Sequence, residues 1–390
     1  MFKFPTVQVE KARVATSFMF LVSGLAYSSW APMVPYAKAR LELNEATLGL
    51  ILLAFGIGAL ISMPLTGWAV HRFGSRIIST TVAPLMIALL PLLAIAPTNM
   101  MLAALLFVFG ATGGAMNISM NSQAAAVEAH LGKPILSGFH CLFSFGGLLG
   151  AGLMSLLLEY GLSLLTSSIC LFILMITLSL WNCRKLLPSE ADIRVAASSQ
   201  FRLPQGRVLF YGSICFILFL VEGAMLDWGA VSLRTIQGYE ASMAGIGYAI
   251  FSVAMAIGRF SGNVLITRFG TVLMMRAGAL LAATGLFLAV NAHWYYLELL
   301  GFLLIGFGAA NIVPIMFGAA GKLTDISASF ALTIVITMGY TGMLLGPAFI
   351  GFVAEATTLS FALGGIAFLL VGVALSATAV APKQVTLLSD

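Results

Sequence analysis

Apolar runs of about 20 residues, the length that crosses a bilayer as a helix, follow one another along almost the whole chain. Inside the hydrocarbon only helices and closed barrels satisfy their backbone hydrogen bonds. With 60% hydrophobic and 8% charged residues, the chain has too little polar surface to cover a soluble fold. The sequence therefore predicts an all-α integral membrane protein with twelve spans, at 13–36, 46–69, 77–97, 100–127, 135–158, 162–183, 208–229, 243–267, 272–291, 295–318, 328–354 and 358–381.

The first half of the chain is repeated in the second half. The stretch 55–74 reappears as 251–270, at an offset of 196 residues, and both copies end in Arg-Phe-Gly. Further matches at this offset place Gly146, Leu148, Leu149, Gly150 and Glu159 on Gly342, Leu344, Leu345, Gly346 and Glu355. Two homologous bundles in one bilayer leave a seam that can open to either side, which is the basis of alternating access. The duplication therefore predicts a membrane transporter.

One long polar stretch separates the two repeats. It lies at 184–207 and contains the sequence LPSEADIRVAASSQ, whose composition is typical of a linker. We therefore expect an N-terminal six-helix bundle at 1–183, a cytoplasmic linker at 184–207 and a C-terminal six-helix bundle at 208–390.

Lysine and arginine are concentrated on one side of the predicted topology. If the N-terminus is cytoplasmic, the outer loops hold only Lys38, Arg40 and Arg234. Because positively charged loops stay in the cytoplasm, we expect both termini to be cytoplasmic. The net charge of +5 then reflects topology and anionic lipid headgroups, and no nucleic-acid partner is expected.

A short loop follows the second span and carries Gly67, Arg72, Gly74 and Arg76. This spacing and the duplicated plan resemble the major facilitator superfamily, whose signature joins its second and third helices. The resemblance implies two six-helix bundles related by a pseudo-twofold axis along the membrane normal, with a gating role for Arg72 and Arg76. The superfamily has an acid where this chain has His71. The histidine weakens the cytoplasmic lock or makes it pH-sensitive, unless it is only a solvated interfacial residue.

Three stretches resemble a narrower group, the bacterial fucose and hexose proton symporters. They are AIGRFSGNVLITRFG at 256–270, GFHCLFSFGGLLGAG at 138–152 and GYTGMLLGPAFIGFVAEA at 339–356. The stretch EGAMLDWGAVSL at 222–233 resembles uncharacterised inner-membrane relatives of that branch. The resemblance implies proton symport of a sugar or sugar derivative across a bacterial inner membrane, and it does not supply the substrate.

The acidic residues depart from the pattern of the fucose symporter. Ala31 and Asn117 stand where that family has carboxylates, and neither side chain can carry a proton. Within the predicted spans and away from their ends, the only acids are Glu222 and Asp227. An ionisable group inside a membrane is costly and usually functional, so both are candidate proton-coupling residues, Glu222 first. The alternative is a structural carboxylate bonded between helices. Five residues apart, the two acids lie on different faces unless the helix breaks nearby.

Arg259 is the only basic residue deep within a predicted span. A buried guanidinium needs an anion or several carbonyl oxygens as partners. The resembling families keep an arginine here near the cytoplasmic gate, which favours a gating or structural role. An anionic substrate is the alternative.

The resemblance implies that the first, fourth, seventh and tenth spans line a cavity. Asn117 and Asn121 share one helix face, where amides can bind hydroxyls without a buried charge. Rings such as that of Trp30 can pack on the apolar face of a sugar. The alternative roles of these residues are interhelical hydrogen bonding and ordinary packing. The same alternatives apply to His140, a lone histidine in the fifth span. The candidate substrate-binding residues are Tyr27, Trp30, Asn117, Asn121, Trp228 and Asn311.

The sequence contains no convergent nucleophile, paired cysteine spacing or nucleotide-binding motif. We therefore expect no enzymatic activity, no metal, no cofactor and no ATP-driven step. The expected partners are a small-molecule substrate, protons and the lipid bilayer, with the protein acting as a monomer. Proton-coupled efflux of amphipathic compounds, uncoupled facilitation and a non-transporting membrane sensor on the same fold are the rival functions.

Overall fold

The computed structural model describes residues 5–132, 135–191, 206–236, 238–240, 243, 245–320, 323 and 328–380. Twelve spans run alternately up and down through a helical bundle, and three of them are broken into two segments. The helices are α1a (Thr6–Ser29), α1b (Val34–Arg40), α2 (Glu45–Phe73), α3 (Ser75–Ile95), α4 (Asn99–Leu131), α5 (Leu136–Glu159), α6 (Leu164–Cys183), α7a (Gly206–Asp227), α7b (Gly229–Thr235), α8 (Ile246–Phe269), α9 (Thr271–Asn291), α10a (Tyr295–Ala309), α10b (Ile312–Ala320), α11 (Ala328–Ala356) and α12 (Leu359–Leu375).

In the described part of the chain, eleven helical runs are long and apolar enough to cross a membrane. The remaining helix, α8, contributes a shorter apolar stretch at Ile246–Gly262. The predicted all-α membrane fold with twelve helices is confirmed. Below, "near end" denotes the end of the bundle where α1a begins and α2 meets α3, and "far end" the opposite end, where α2, α4, α6 and α12 begin.

Four of the helices that begin at the far end are capped by polar side chains. In each case a side-chain oxygen accepts a hydrogen bond from the backbone N–H three residues later, which satisfies one of the free donors of the first turn. The caps are Asn44 for α2, Thr98 for α4, Ser163 for α6 and Thr358 for α12. These short polar residues therefore fix where the chain re-enters the bundle.

The first, seventh and tenth spans, predicted as continuous at 13–36, 208–229 and 295–318, are interrupted. Proline lacks an N–H and its ring clashes with the carbonyl four residues earlier. Pro32 and Pro35 therefore break the first span around a 3₁₀ turn at Ala31–Met33, and Pro314 breaks the tenth at Ala310. The seventh span breaks at Trp228, ahead of a glycine rather than a proline.

Equivalent packing in the two halves reflects the duplication. In the N-terminal half a Cβ added at Gly110 would overlap the carbonyl oxygen of Phe55, and in the C-terminal half a Cβ at Gly306 would lie 2.5 Å from that of Phe251. Both pairs are related by the 196-residue offset. The α2–α4 and α8–α10a crossings therefore place one backbone against another, and only glycine allows this approach.

The two halves also meet through glycine at the far end. A Cβ at Gly49 of α2 would lie 2.7 Å from the Pro347 carbonyl oxygen of α11 and 3.2 Å from the Gly351 Cα. At the equivalent position of the second repeat, Gly245 packs against Ser155 of α5. A Cβ added at Gly245 would lie 2.7 Å from the Pro32 side chain. These close contacts, with backbone atoms at Gly49 and with side chains at Gly245, hold the halves together at the far end of the seam.

The same helix pairs remain in contact toward the middle of the bundle. Gly56 of α2 packs against Leu344 of α11, and a Cβ at Gly147 of α5 would lie 3.6 Å from the Ser252 hydroxyl of α8. Gly56 and Ser252 are again related by the repeat. The seam is therefore held by two equivalent crossings, one on each side of the pseudo-twofold axis.

The start of the linker is bound to the N-terminal half. Buried Gln123 of α4 donates to the Ser75 hydroxyl and to the Leu187 carbonyl oxygen, both at 2.8 Å, and accepts from the Leu187 N–H at 3.1 Å. Residues 192–205 of the predicted linker 184–207 lie outside the described residues.

Replacing Gly110 by alanine should destabilise the N-terminal half, because α2 and α4 must move apart to admit the methyl group. We expect a loss of about 1–3 kcal/mol in the free energy of unfolding, seen as a lower apparent unfolding temperature of the purified protein in detergent. Gly365→Ala in α12 is the matched control, since its Cβ would meet nothing within 4 Å. Equal unfolding temperatures for the two variants would contradict the backbone contact.

Candidate functional site

An ion pair lies midway through the C-terminal half. The Arg259 Nη2 atom of α8 is 3.5 Å from both carboxylate oxygens of Glu222 in α7a. The side chains are 36% and 26% exposed, so the pair is loose and only partly buried. The other two ion pairs among the described residues lie near the ends of the first span. This pair is therefore the charged centre of the bundle.

Two tyrosines surround Glu222 and connect it to the N-terminal half. Tyr340 of α11 is close to Glu222 and within hydrogen-bonding reach of the Asn117 amide in α4. Tyr248 of α8 is also close to Glu222 and within hydrogen-bonding reach of the Ser28 hydroxyl in α1a. The ion pair and its tyrosine neighbours therefore lie at the boundary between the halves.

The amides of α4 form the uncharged side of the same region. The Asn121 Nδ2 atom donates to the Asn117 carbonyl oxygen at 2.8 Å and lies 3.3 Å from its side-chain oxygen. Both amides are partly exposed. Tyr27 packs edge-on against Phe55, with ring centroids 5.6 Å apart, and lies near Tyr340. Hydroxyl and amide groups from α1a, α4 and α11 therefore face one region.

His140 of α5 lies on the N-terminal side of the charged centre. Its ring is exposed and meets the Phe20 ring edge-on, with centroids 5.2 Å apart, and it is close enough to Arg259 to interact electrostatically. Because α5 carries His140 near its start, the side chain lies between the ion pair and the near end. A second basic group thus faces the Arg259 guanidinium.

Asp227 occupies a different environment from Glu222. Helix α7a is continuous between the two acids and breaks only after Asp227, so their side chains point to different faces. Asp227 is only 6% exposed and lies within hydrogen-bonding reach of the Trp30 indole. Tyr248 is near both carboxylates. The structure therefore brings Asp227 and Trp30 together on the far side of Tyr248, away from the exposed ion pair.

Two candidate substrate-binding residues are packed in the protein interior. Asn311 is 6% exposed and donates from its amide to the Gly258 carbonyl oxygen at 2.9 Å, which ties the break in the tenth span to α8. Trp228 is fully buried, and its indole Nε1 has no hydrogen-bond partner among the described residues. Neither side chain reaches the water-exposed region in this conformation.

The candidate gating residues of the short loop lie at the near end, apart from Arg259. The Arg72 guanidinium lies over the rings of Trp68 and Phe73, at 5.8 and 5.6 Å from their centroids. Arg76 donates to the Arg184 carbonyl oxygen at 3.0 Å, and His71 is exposed. These contacts of the two arginines stay within the N-terminal half, so the gating role remains a prediction.

Three polar residues, Tyr248, Tyr340 and Glu298, were not among the site residues predicted from the sequence. Tyr248 and Tyr340 lie close enough to Glu222 to interact with it electrostatically, and the spacing of Tyr248 and Ser252, four residues apart on one helix face, was the available signal. Glu298 is fully buried at the start of α10a and accepts from the Tyr239 hydroxyl at 3.4 Å. Burial, and then the nearby Glu298 carboxylate, raise the pKa of Tyr239, which lies in the loop after the seventh span.

Among the described residues, the two halves meet at the far end and toward the middle of the bundle. The halves are pressed together at the far end by the α2–α11 and α5–α8 crossings. There the Asn44 amide also donates to Glu355 at 3.3 Å, and Arg234 to the Pro35 carbonyl oxygen at 3.3 Å. These contacts block the approach to Glu222 from the far end. The arrangement offers a carboxylate, a guanidinium, hydroxyls and amides within one partly exposed region between the halves.

Residues 16–231 match the family model of the Major Facilitator Superfamily. The chain belongs to this superfamily. It is 43% identical over 368 residues to an uncharacterised MFS-type transporter of Yersinia pestis, a match that covers 94% of this chain and 95% of that protein. The fold resemblance inferred from the duplicated plan is thereby confirmed.

Solved structures of the superfamily share the fold at low sequence identity. The nucleoside transporter NupG in a mutant form matches with a TM-score of 0.77 and 16% identity, covering 95% of this chain and all of the other. A D-xylose–proton symporter matches with a TM-score of 0.73 and 15% identity, covering 96% and 98%. The protein is therefore a multi-pass membrane transporter of the Major Facilitator Superfamily.

A double-mutant cycle should detect the coupling between Glu222 and Arg259. Either Glu222→Gln or Arg259→Gln alone leaves one charge unpaired inside the bundle and should lower the unfolding temperature. The double variant should recover part of that loss, with a coupling of about 1 kcal/mol because both groups are partly exposed. The coupling energy is measured by unfolding the unchanged protein, the two single variants and the double variant in the same detergent. Strictly additive losses would exclude a stabilising pair.

Proposed function

We propose that this protein is a secondary active transporter that moves a small polar solute, a sugar or sugar derivative, together with a proton by alternating access. The observation that supports the proposal best is the partly exposed Glu222–Arg259 pair inside the bundle, beside the seam between the halves. An ionisable pair in the interior of a membrane bundle is costly and is retained where it acts. Its position lets the acid meet water and solute in the same cavity.

Glu222 is the proposed proton carrier. Proton uptake neutralises the carboxylate and weakens its attraction to Arg259, so the protonation state changes the contact between α7a and α8. Asp227 is the second proposed proton site, reached through Tyr248 once the far end opens. The gradient would then drive transport, with no cofactor involved.

The proposed solute site combines the amides of Asn117 and Asn121 with the hydroxyls of Tyr27 and Tyr340. Amides and hydroxyls both donate and accept, which suits a solute rich in hydroxyl groups. The D-xylose–proton symporter that shares the fold moves such a solute with protons, which is consistent with this proposal. The residues at the helix breaks, Trp30, Trp228 and Asn311, would contact the solute only after the far end opens.

The proposed orientation places the near end and both termini in the cytoplasm of a bacterium, with the protein acting as a monomer in the inner membrane. The support is the excess of lysine and arginine at the near end. The conformation is then open to the cytoplasm. Arg72, Arg76, His71 and Arg259 are the proposed gating residues, because closing the near end must bring this side of the halves together.

Proteoliposomes that contain the purified protein and an internal pH dye test the proposal. With a panel of sugars that includes L-fucose, D-galactose and D-xylose, and gluconate as an acidic derivative, we expect acidification that depends on a solute. It should vanish in Glu222→Gln, because glutamine cannot carry the proton. Glu10→Gln, an acid 46% exposed at the start of α1a, is the control and should behave as the unchanged protein.

Solute accumulation without proton movement would exclude symport and favour uncoupled facilitation. Proton movement that depends on amphipathic compounds and not on any member of the panel would favour efflux instead.

A further inference from the structure

We propose that the solute is a monoanion, a hydroxylated carboxylic acid of the aldonate or uronate class, whose carboxylate replaces Glu222 as the partner of Arg259. This inference rests on the proposed proton symport and narrows its substrate class. It assigns Arg259 a direct contact with the solute, in addition to any role in gating.

The geometry leaves Arg259 free to accept a second anion. A guanidinium has five N–H donors in a planar fork, which suits a carboxylate bound through two oxygens. Glu222 contacts only the Nη2 atom, at 3.5 Å, beyond the usual range for a charge-assisted hydrogen bond. Among the described residues, no other acid pairs with Arg259, and its side chain is 36% exposed. The arginine is therefore accessible and weakly bonded.

Protonation of Glu222 changes what Arg259 requires. Once the carboxylate is neutral, the guanidinium is left without a counter-charge inside a membrane protein, which is strongly unfavourable. A solute carboxylate restores the pairing, whereas an uncharged sugar does not. Proton binding at Glu222 and anion binding at Arg259 therefore favour each other, and this mutual dependence couples the two fluxes.

The groups around the pair support an anion at this end of the cavity. Glu222 is faced by Arg259 and Tyr248 from α8 and by Tyr340 from α11. Arg259 is faced by His140 from α5, a base that adds positive potential when protonated. The remaining acid of the region, Asp227, lies on the same helix as Glu222 and is separated from Glu222 by Tyr248.

The cavity is therefore charged at one end and uncharged at the other. Tyr340 connects the acid to Asn117, which in turn bonds Asn121. A solute with one carboxylate and several hydroxyls matches both ends at once. A neutral sugar would use only the amide and hydroxyl end.

Charge balance restricts the solute to a single negative charge. In the empty transporter the Glu222–Arg259 pair is neutral, and in the loaded transporter the protonated Glu222, Arg259 and the solute carboxylate again sum to zero. Neither form then moves net charge across the low-dielectric seam. A neutral sugar carried with a proton would leave one uncompensated positive charge, and a dianion one uncompensated negative charge.

The test compares D-gluconate and D-galacturonate with D-glucose and D-galactose, in proteoliposomes of the full-length protein. We expect proton-coupled uptake of at least one acid, unaffected by a membrane potential set with potassium and valinomycin. Where Glu222 is ionised, the apparent affinity for the acid should rise about tenfold for each unit that the pH falls, since one proton binds with it.

Two variants separate the roles. Arg259→Gln should lower the apparent affinity for the acid, measured by counterflow, by about 30-fold or more. Glu222→Gln should retain counterflow of the acid, now independent of pH, and lose net proton-coupled uptake. Arg13→Gln, a charge change at the start of α1a, is the control, and unfolding temperatures show whether each variant is folded.

The outcomes distinguish this inference from the proposed function. The anion assignment would be overturned, with symport left standing, by proton-coupled uptake of a neutral sugar that neither acid inhibits. It would also be overturned if counterflow of the acid were unchanged in folded Arg259→Gln. No solute-dependent proton movement with either pair of compounds would overturn both.

Discussion

A guanidinium in the middle of a membrane-spanning bundle is the constraint on which the candidate site depends. Arg259 cannot lose its charge, and lipid offers it no counter-ion, so α8 must keep it beside an acid and within reach of water. Glu222 on the neighbouring α7a meets the first need, and the partial exposure of both side chains meets the second. The pair is thus a consequence of placing a permanent charge at this depth, and its partial exposure leaves it able to exchange partners.

The surroundings of the pair come from both halves, which ties the chemistry to the arrangement of the helices. Tyr340 reaches Asn117, and Tyr248 reaches Ser28, so each tyrosine spans from the C-terminal to the N-terminal repeat. These contacts hold only while the two bundles keep their present orientation. A change in the protonation of Glu222 therefore changes the electrostatic environment of side chains that lie across the seam.

Most of the architecture was predictable from sequence because hydropathy and duplication act on long segments. The twelve helices and the equivalent glycine crossings follow from apolar length and from the 196-residue repeat. The breaks at Pro32 and Pro314 could have been predicted from the missing N–H, whereas the break before Gly229 carries no comparable signal. The Tyr340–Asn117 contact joins helices far apart in the chain, and Glu222–Arg259 joins two consecutive spans, but in neither case does a local pattern specify which faces meet. Asn311, polar and within a span, proved to bond the Gly258 backbone carbonyl of the neighbouring α8.

The two mid-bundle crossings have a mechanical consequence. Gly56 against Leu344 and Gly147 beside Ser252 lie on opposite sides of the pseudo-twofold axis, and two points of contact define a line. Rotation about that line separates Gly49 from Gly351 at one end while it brings the opposite ends of the same helices together. The glycine contacts thus act as pivot points for rotation of one half against the other. Because the helices extend about half their length on either side of this line, a small rotation opens one end of the seam and closes the other.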